Sequence, residues 1–180
     1  MEHYRIVADV GLYYITFPVI EWLPIFIDES AGKIITDSFN FCMEKKYLGV
    51  NAYVIMPTHL HAILFDVEFN AERLKHILDD IRKFTGRQLL DYSAPHLPKS
   101  FTEEFHQQAG KDRERRFWQP TQHPIGIYSE GFGRQKMDYL HHNPCRKGLV
   151  LRAEAWRFSS ALYWTTRDSC DVQLSEVGWG

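Results

Sequence analysis

Residues Tyr53 to Phe65, YVIMPTHLHAILF, set two histidines two positions apart at the head of an apolar run. Such a run reads as a strand, whose successive side chains alternate between the two faces of a sheet. His59 and His61 therefore point the same way, with Cβ atoms roughly 6–7 Å apart, near enough for both imidazoles to close on one divalent ion. Pro57 and Thr58 interrupt the apolar character just before them. Residues 48 to 56 and 59 to 66 thus read as two strands with a break or bulge between.

Upstream, residues 10 to 19, VGLYYITFPV, carry the β-branched and aromatic enrichment of a buried strand that ends near Pro18. Asp28 or Ser30 then caps a helix whose apolar positions are Ile34, Ile35, Phe39 and Cys42. Downstream, Asn70 caps a long amphipathic helix with Leu74, Ile77, Leu78, Ile81, Leu89 and Leu90 as its buried stripe. From Ser93 to Arg116 the chain is polar and proline-containing with no sustained period, which reads as a flexible or inserted loop. Phe117 to Gln119 begins a short edge strand, and Gly131 and Gly133 precede a helix carrying Gln135 to Asn143. The order β-α-β-β-α-β-α predicts an α+β fold, a ferredoxin-like split βαβ antiparallel sheet with helices on one face plus one further C-terminal helix. Residues 1–150 form the domain, and the tail, 151–180, packs on it through Trp156, Phe158, Leu162, Tyr163 and Trp164.

A chain of 180 residues with 44% hydrophobic content builds one sizeable core. It contains no apolar run of the roughly 18–20 residues that a membrane span needs, and the start MEHYRIVADVG lacks the basic-then-apolar order of a signal peptide. A cytoplasmic protein is expected, with Cys42, Cys145 and Cys170 as reduced thiols, since three cysteines without CxxC spacing make neither a disulfide framework nor a zinc knuckle. A formal net charge of −2 argues against an indiscriminate nucleic-acid binder, though not against a local patch. Arg82, Lys83 and Arg87, with Lys75, fall in one helix and are expected on its exposed side, in reach of phosphates. Lys111, Arg113, Arg115 and Arg116 form a second concentration broken by Asp112 and Glu114.

The second chemical signal is DYLHHNPCRKGLV, where Tyr139 and Asn143 stand at helical i, i+4 spacing. Pro144 is expected to end the helix at Asn143 and to bring the negative end of its dipole beside a bound cation. His141 and His142 are competing ligand candidates: His142, three positions after Tyr139, can share its face, whereas His141, two after, should point away, and spacing excludes neither. Two imidazoles and an amide oxygen suit manganese and tolerate magnesium. A phenol with an ordinary pKa of about 10 needs an electrophile activated in this way before it can attack. Taken singly, each element also has an ordinary reading: a half-buried histidine pair, a packing tyrosine, an Asn-Pro helix stop.

Together these segments resemble the HUH single-tyrosine transposases, most closely the REP-associated tyrosine transposase branch. The resemblance runs through YYITFPVIEWLPIF, AYVIMPTHLHAILF, LKHILDDIRKFTGRQL, FWQPTQHPIGI, DYLHHNPCRKGLV and AEAWRFSSALYW, from about residue 10 to 165. It implies His59-Leu60-His61 as the metal-binding motif, Asn143 as the third ligand of Mg2+ or Mn2+, and Tyr139 as a nucleophile that becomes joined to a 5′ phosphate. It also implies a transposase that nicks and rejoins single-stranded DNA bearing imperfect hairpins, the REP-like palindromes, and a monomer rather than a dimer. The alternative on the same scaffold is a binding protein that holds hairpin DNA or RNA without cutting it. A metal-dependent hydrolase that uses water lacks the further Asp and His ligands usual for such a centre.

Overall fold

The computed structural model describes residues 6–7, 10–111, 114–120 and 123–177. Asp112 and Arg113 of the second basic concentration lie outside them, as do the first five residues and the last three of the tail. Four strands, β1 (Leu12–Pro18), β2 (Leu48–Met56), β3 (His59–Asp66) and β4 (Ile125–Ile127), form one antiparallel sheet in the order β2-β3-β1-β4. That is the expected ferredoxin-like arrangement. Helix α1 (Glu29–Lys45) starts at Asp28, whose carboxylate accepts the Ala31 N–H, and α2 (Ala71–His96) starts at Asn70, which accepts from Arg73 N–H.

Alternation assigns each strand residue to a face. Tyr13, Ile15, Phe17, Leu60, Ala62 and Leu64 pack against Ile35 and Phe39 of α1 and Leu74, Ile77, Leu78 and Ile81 of α2. The other face presents Leu12, Tyr14, Ile63 and Phe65, together with His59 and His61 by parity. On β2 the register slips between Val50 and Ala52. This irregularity resets the alternation, so Val50 joins the α1/α2 side before it and Tyr53 and Ile55 join that side after it.

Three expectations are corrected. The stretch from Ser93 to Arg116 is largely helical: α2 runs on to His96, and α3 (Lys99–Gln107) follows. The Ser93 hydroxyl bonds back to the Leu89 carbonyl, Pro95 sits in the last turn of α2, and Phe105 is fully buried against Phe117. The fourth strand is Ile125–Ile127, not Phe117–Gln119. Trp118 makes a single bridge to Val19 and buries its ring beside Thr85, to which its indole N–H donates, so the side chains of this stretch serve the core rather than a ladder. Finally, the helix expected over 135–143 is α4 (Glu130–His141), capped by Ser129, with Asn143 opening a separate short helix, α5 (Asn143–Arg146).

The segment after Gly148 runs along the outer edge of β2. Ile55 N–H donates to Phe158 O, Ser160 N–H to Tyr53 O and Ser175 N–H to Val50 O, while the indoles of Trp156 and Trp164 donate to Ile55 O and Asn51 O. An edge strand that would otherwise offer unpaired backbone groups is thereby covered, with a short 3-10 turn over Ala153–Ala155 and α6 (Ala161–Thr166) in that segment.

Candidate active site

Helix α4 crosses the face of the sheet opposite α1 and α2, anchored by the fully buried Leu140 among Leu12, Val54 and Ile63. This leaves Tyr139 half-exposed over the start of β3, with its ring centroid 6.3 Å from that of His61 and 6.4 Å from that of Tyr14. The two histidine rings lie 4.6 Å apart, and Tyr14 stacks on His61 at 5.2 Å. One face of one chain thus gathers both imidazoles and the phenol.

Each imidazole is tethered through the same atom. His59 Nδ1 lies 2.9 Å from the Thr58 hydroxyl and His61 Nδ1 lies 2.8 Å from that of Thr16, its cross-strand partner. With the rings donating from Nδ1, the threonine oxygens accept and both Nε2 lone pairs are available to a cation. Burial, followed by the nearby Lys147, pushes His59 down to about 4. Burial, then His59, Arg146 and Lys136, pushes His61 down to about 3. Both rings are therefore neutral at pH 7, the form in which an imidazole ligates a metal. Burial also drives the Tyr14 phenol well above its ordinary value, with Tyr139 adding to the effect and Arg146 opposing it.

Asn143 is buried, and among the described residues no hydrogen bond engages its side-chain amide. Two neutral imidazoles and an amide oxygen form a donor set that fits a hard or borderline divalent ion, and no group of three His, Cys, Asp or Glu side chains gathers among the described residues. The expected helix-end effect is corrected: the Tyr139 carbonyl, near the end of α4, accepts from Arg146 Nη2 at 2.5 Å, so the last turn faces a guanidinium. His141 turns into the core, where Nε2 lies 2.8 Å from Ser160 Oγ; that hydroxyl donates to Tyr53 O, so the ring donates to it. His142 is exposed and bonds the Asp138 carbonyl through Nδ1.

The cations nearest the site were not among those singled out from the sequence. Arg146 lies 4.1 Å over the Tyr139 ring, Lys136 lies 5.3 Å over Tyr14, and Lys147 reaches the field of His59. Lys136 and Arg146, three before and seven after Tyr139, are at helix-like spacings that a search around the tyrosine would have flagged. Arg82, Lys83 and Arg87 instead belong to α2, on the other side of the sheet. Arg82 is only half-exposed, with Nη2 donating to Gln119 O at 2.5 Å and its guanidinium over Phe17, which corrects the exposed position expected for it. Lys83 and Arg87 are exposed and border a groove of about 520 Å3 with Arg115 and Arg116.

Among the described residues no helix is long and apolar enough to cross a membrane. No family model and no curated protein sequence matches the chain. Among solved structures it is similar to the REP-associated tyrosine transposase bound to a REP hairpin, at 17% identity and a TM-score of 0.59, over 100% of this chain and 95% of that one. A crystal structure of a putative transposase from Deinococcus radiodurans R1 matches at 16% identity and a TM-score of 0.49, over 77% of this chain and 95% of that one. From β1 to the edge segment beyond α5, the chain has the fold of the REP-associated tyrosine transposase.

Proposed function

We propose that this protein is a transposase-type enzyme that nicks and rejoins hairpin-bearing single-stranded DNA through Tyr139. The observation that carries the reading is the meeting, on one sheet face, of a half-exposed phenol with two neutral imidazoles tethered alike. Tyr139 Oη attacks a DNA phosphorus and its proton passes to solvent. The bond from phosphorus to the 3′ oxygen breaks, that oxygen leaves with the electron pair and takes up a proton as a free 3′ hydroxyl, and the 5′ phosphate stays on the tyrosine. Because the phosphotyrosyl bond keeps the energy of the phosphodiester, attack by a 3′ hydroxyl reverses the step without ATP.

His59 and His61, through Nε2, and Asn143, through its amide oxygen, would hold a divalent ion, magnesium or manganese, which supplies polarisation of a phosphate oxygen when bound. Arg146 fixes the Tyr139 ring from above and places positive charge where the attacked phosphate gains negative charge. Lys136 and Lys147 hold the neighbouring phosphates of the single strand. Lys83 and Arg87, on the far side of the sheet, are assigned to the duplex stem of the hairpin. The solved relative was captured on a REP hairpin, which supports the substrate class. The acting unit is the monomer, a reading supported by the phenol and imidazoles coming from the same chain.

Tyr139→Phe tests the reading, since it removes one oxygen and keeps the ring. Wild type incubated with a 5′-tailed hairpin strand and manganese forms a denaturant-resistant adduct on the 5′ phosphate of the product; Tyr139→Phe forms none and still binds. Free 5′-phosphate ends from the mutant would establish a water-driven hydrolase instead. Binding without any adduct from the wild type would establish the non-cleaving hairpin binder.

A further inference from the structure

Four tryptophans lie among the described residues, and three of them are used internally. Trp118, Trp156 and Trp164 are buried or half-buried, and their indole N–H groups donate to Thr85 Oγ1, Ile55 O and Asn51 O. Trp22 differs on both counts: it is 52% exposed, and its indole N–H finds no acceptor among the described residues. Its ring stands 5.5 Å from that of His59, nearly perpendicular at 79°, and about half of the residue's surface is open to solvent beside the histidine pair.

The backbone holds it there at a conformational cost. Glu21 and Trp22 are both left-handed, with φ of 49° and 53°, in a turn over Ile20–Trp22, a region that a bulky L-residue rarely occupies. Hydrogen bonds fix the turn on every side. Val19 N–H donates to Thr58 O, Trp22 N–H to Val19 O, Leu23 N–H to Ile20 O and Ile20 N–H to Phe117 O. The first of these ties the turn to the residue whose hydroxyl orients His59. A large ring kept exposed in a disfavoured conformation, whose ring contact among the described residues is to His59, belongs to neither apolar core and stands beside the proposed metal-binding histidines instead.

We propose that Trp22 is a stacking platform for one unpaired nucleobase of the strand whose phosphate reaches His59, His61 and Tyr139. This rests on the DNA-processing reading and adds to it a subsite for a base. The exposed ring accepts the flat π surface of any base, and the Lys136, Arg146 and Lys147 cations on the Tyr139 side receive the phosphates of the same strand. The platform thus sets the register of the strand across the metal-binding pair with little demand on base identity.

Metal-free binding keeps the test separate from cleavage. The probe is a fluorescein-labelled DNA hairpin with a ten-thymidine 5′ tail, together with a series in which one abasic site is stepped through that tail. Trp22→Ala should weaken binding of the all-thymidine probe about tenfold, Trp22→Phe by much less, and one abasic position should bring wild type down to the level of Trp22→Ala. Trp22→Gly guards against misfolding, because glycine fits the left-handed backbone: it should melt no lower than wild type and still lose the tenfold. Equal affinities of wild type and both small variants would overturn the proposal, as would a loss that no abasic position removes. If adducts form but this cycle is flat, the platform fails and the enzyme reading stands. If the cycle holds and no adduct ever forms, the reverse is true.

Discussion

The two faces of the sheet are built from the same strands yet do opposite work. On β3, Leu60, Ala62 and Leu64 turn into a dry apolar layer under α1 and α2, while their neighbours His59 and His61 turn toward α4, where rings, hydroxyls and cations meet. On the function proposed above, adjacent residues thus divide stability from chemistry. On the α1/α2 face the strand side chains are almost wholly buried, so a change of volume there is felt in stability. The α4 face is less tightly filled and keeps Tyr139 half-exposed.

The sharpest way to break this comparison is to change two neighbours. Leu60→Ala, at a site with no exposure, should cost about 2–5 kcal/mol in denaturant unfolding and yet form the tyrosine adduct at low temperature. His61→Ala should cost at most about 1.5 kcal/mol, the loss of one tethering hydrogen bond and some packing, and should abolish manganese-dependent adduct formation. A stable Leu60→Ala, or a His61→Ala that cuts normally, would show that the two faces are not divided in this way.

A smaller effect separates the tethers from the ligands. Thr16→Val and Thr58→Val keep shape and remove the hydroxyl that holds Nδ1, so each should weaken manganese binding by about 10–100-fold in calorimetry. The corresponding serine variants should restore most of it. Unchanged affinity in the valine variants would reduce both threonines to packing residues.

The sequence carried three of the four strands closely and the site in outline. Both bounds of β2 and β3 are legible because Pro57-Thr58 punctuates two alternating apolar runs. Helix α3 is not, since Phe101 and Phe105 are the sole aromatic signal in a polar stretch, and the helical ends of Ser93 and Pro95 depend on the Leu89 carbonyl and on position within the last turn. Strand β4 has three residues, too few to show a period. The shared face of His59 and His61 follows from spacing alone, but Thr16 reaches His61 only through the β1–β3 register, 45 positions away in sequence. The break between Tyr139 and Asn143 was equally hidden, because Pro144 reads the same whether it ends a helix or opens a new one, as it does in α5. Trp22 left no mark in the pattern, as its exposure comes from a left-handed turn rather than from polarity around it.

The finest test compares the cations of the two faces. Lys136 and Lys147 sit over the site, whereas Lys83 and Arg87 line the groove beside Arg115 on the α2 side. If the reactive single strand lies on the α4 face, neutralising Lys136 and Lys147 to glutamine should reduce the slope of log affinity against log salt by about 1.4 for an unpaired thymidine strand, at about 0.7 per phosphate contact. Neutralising Lys83 and Arg87 should leave that slope unchanged and reduce the slope for a blunt hairpin by up to about 1.8, at about 0.9 per duplex contact. Both differences are small against the loss of a ligand or of a core side chain, but their crossing is diagnostic because charge removal without contact moves neither slope. Should the α2 pair alter the single-strand slope as much as the α4 pair does, the strand must wrap the sheet edge past Gln119, where Arg82 holds the backbone, and the division between the two faces would end at that edge.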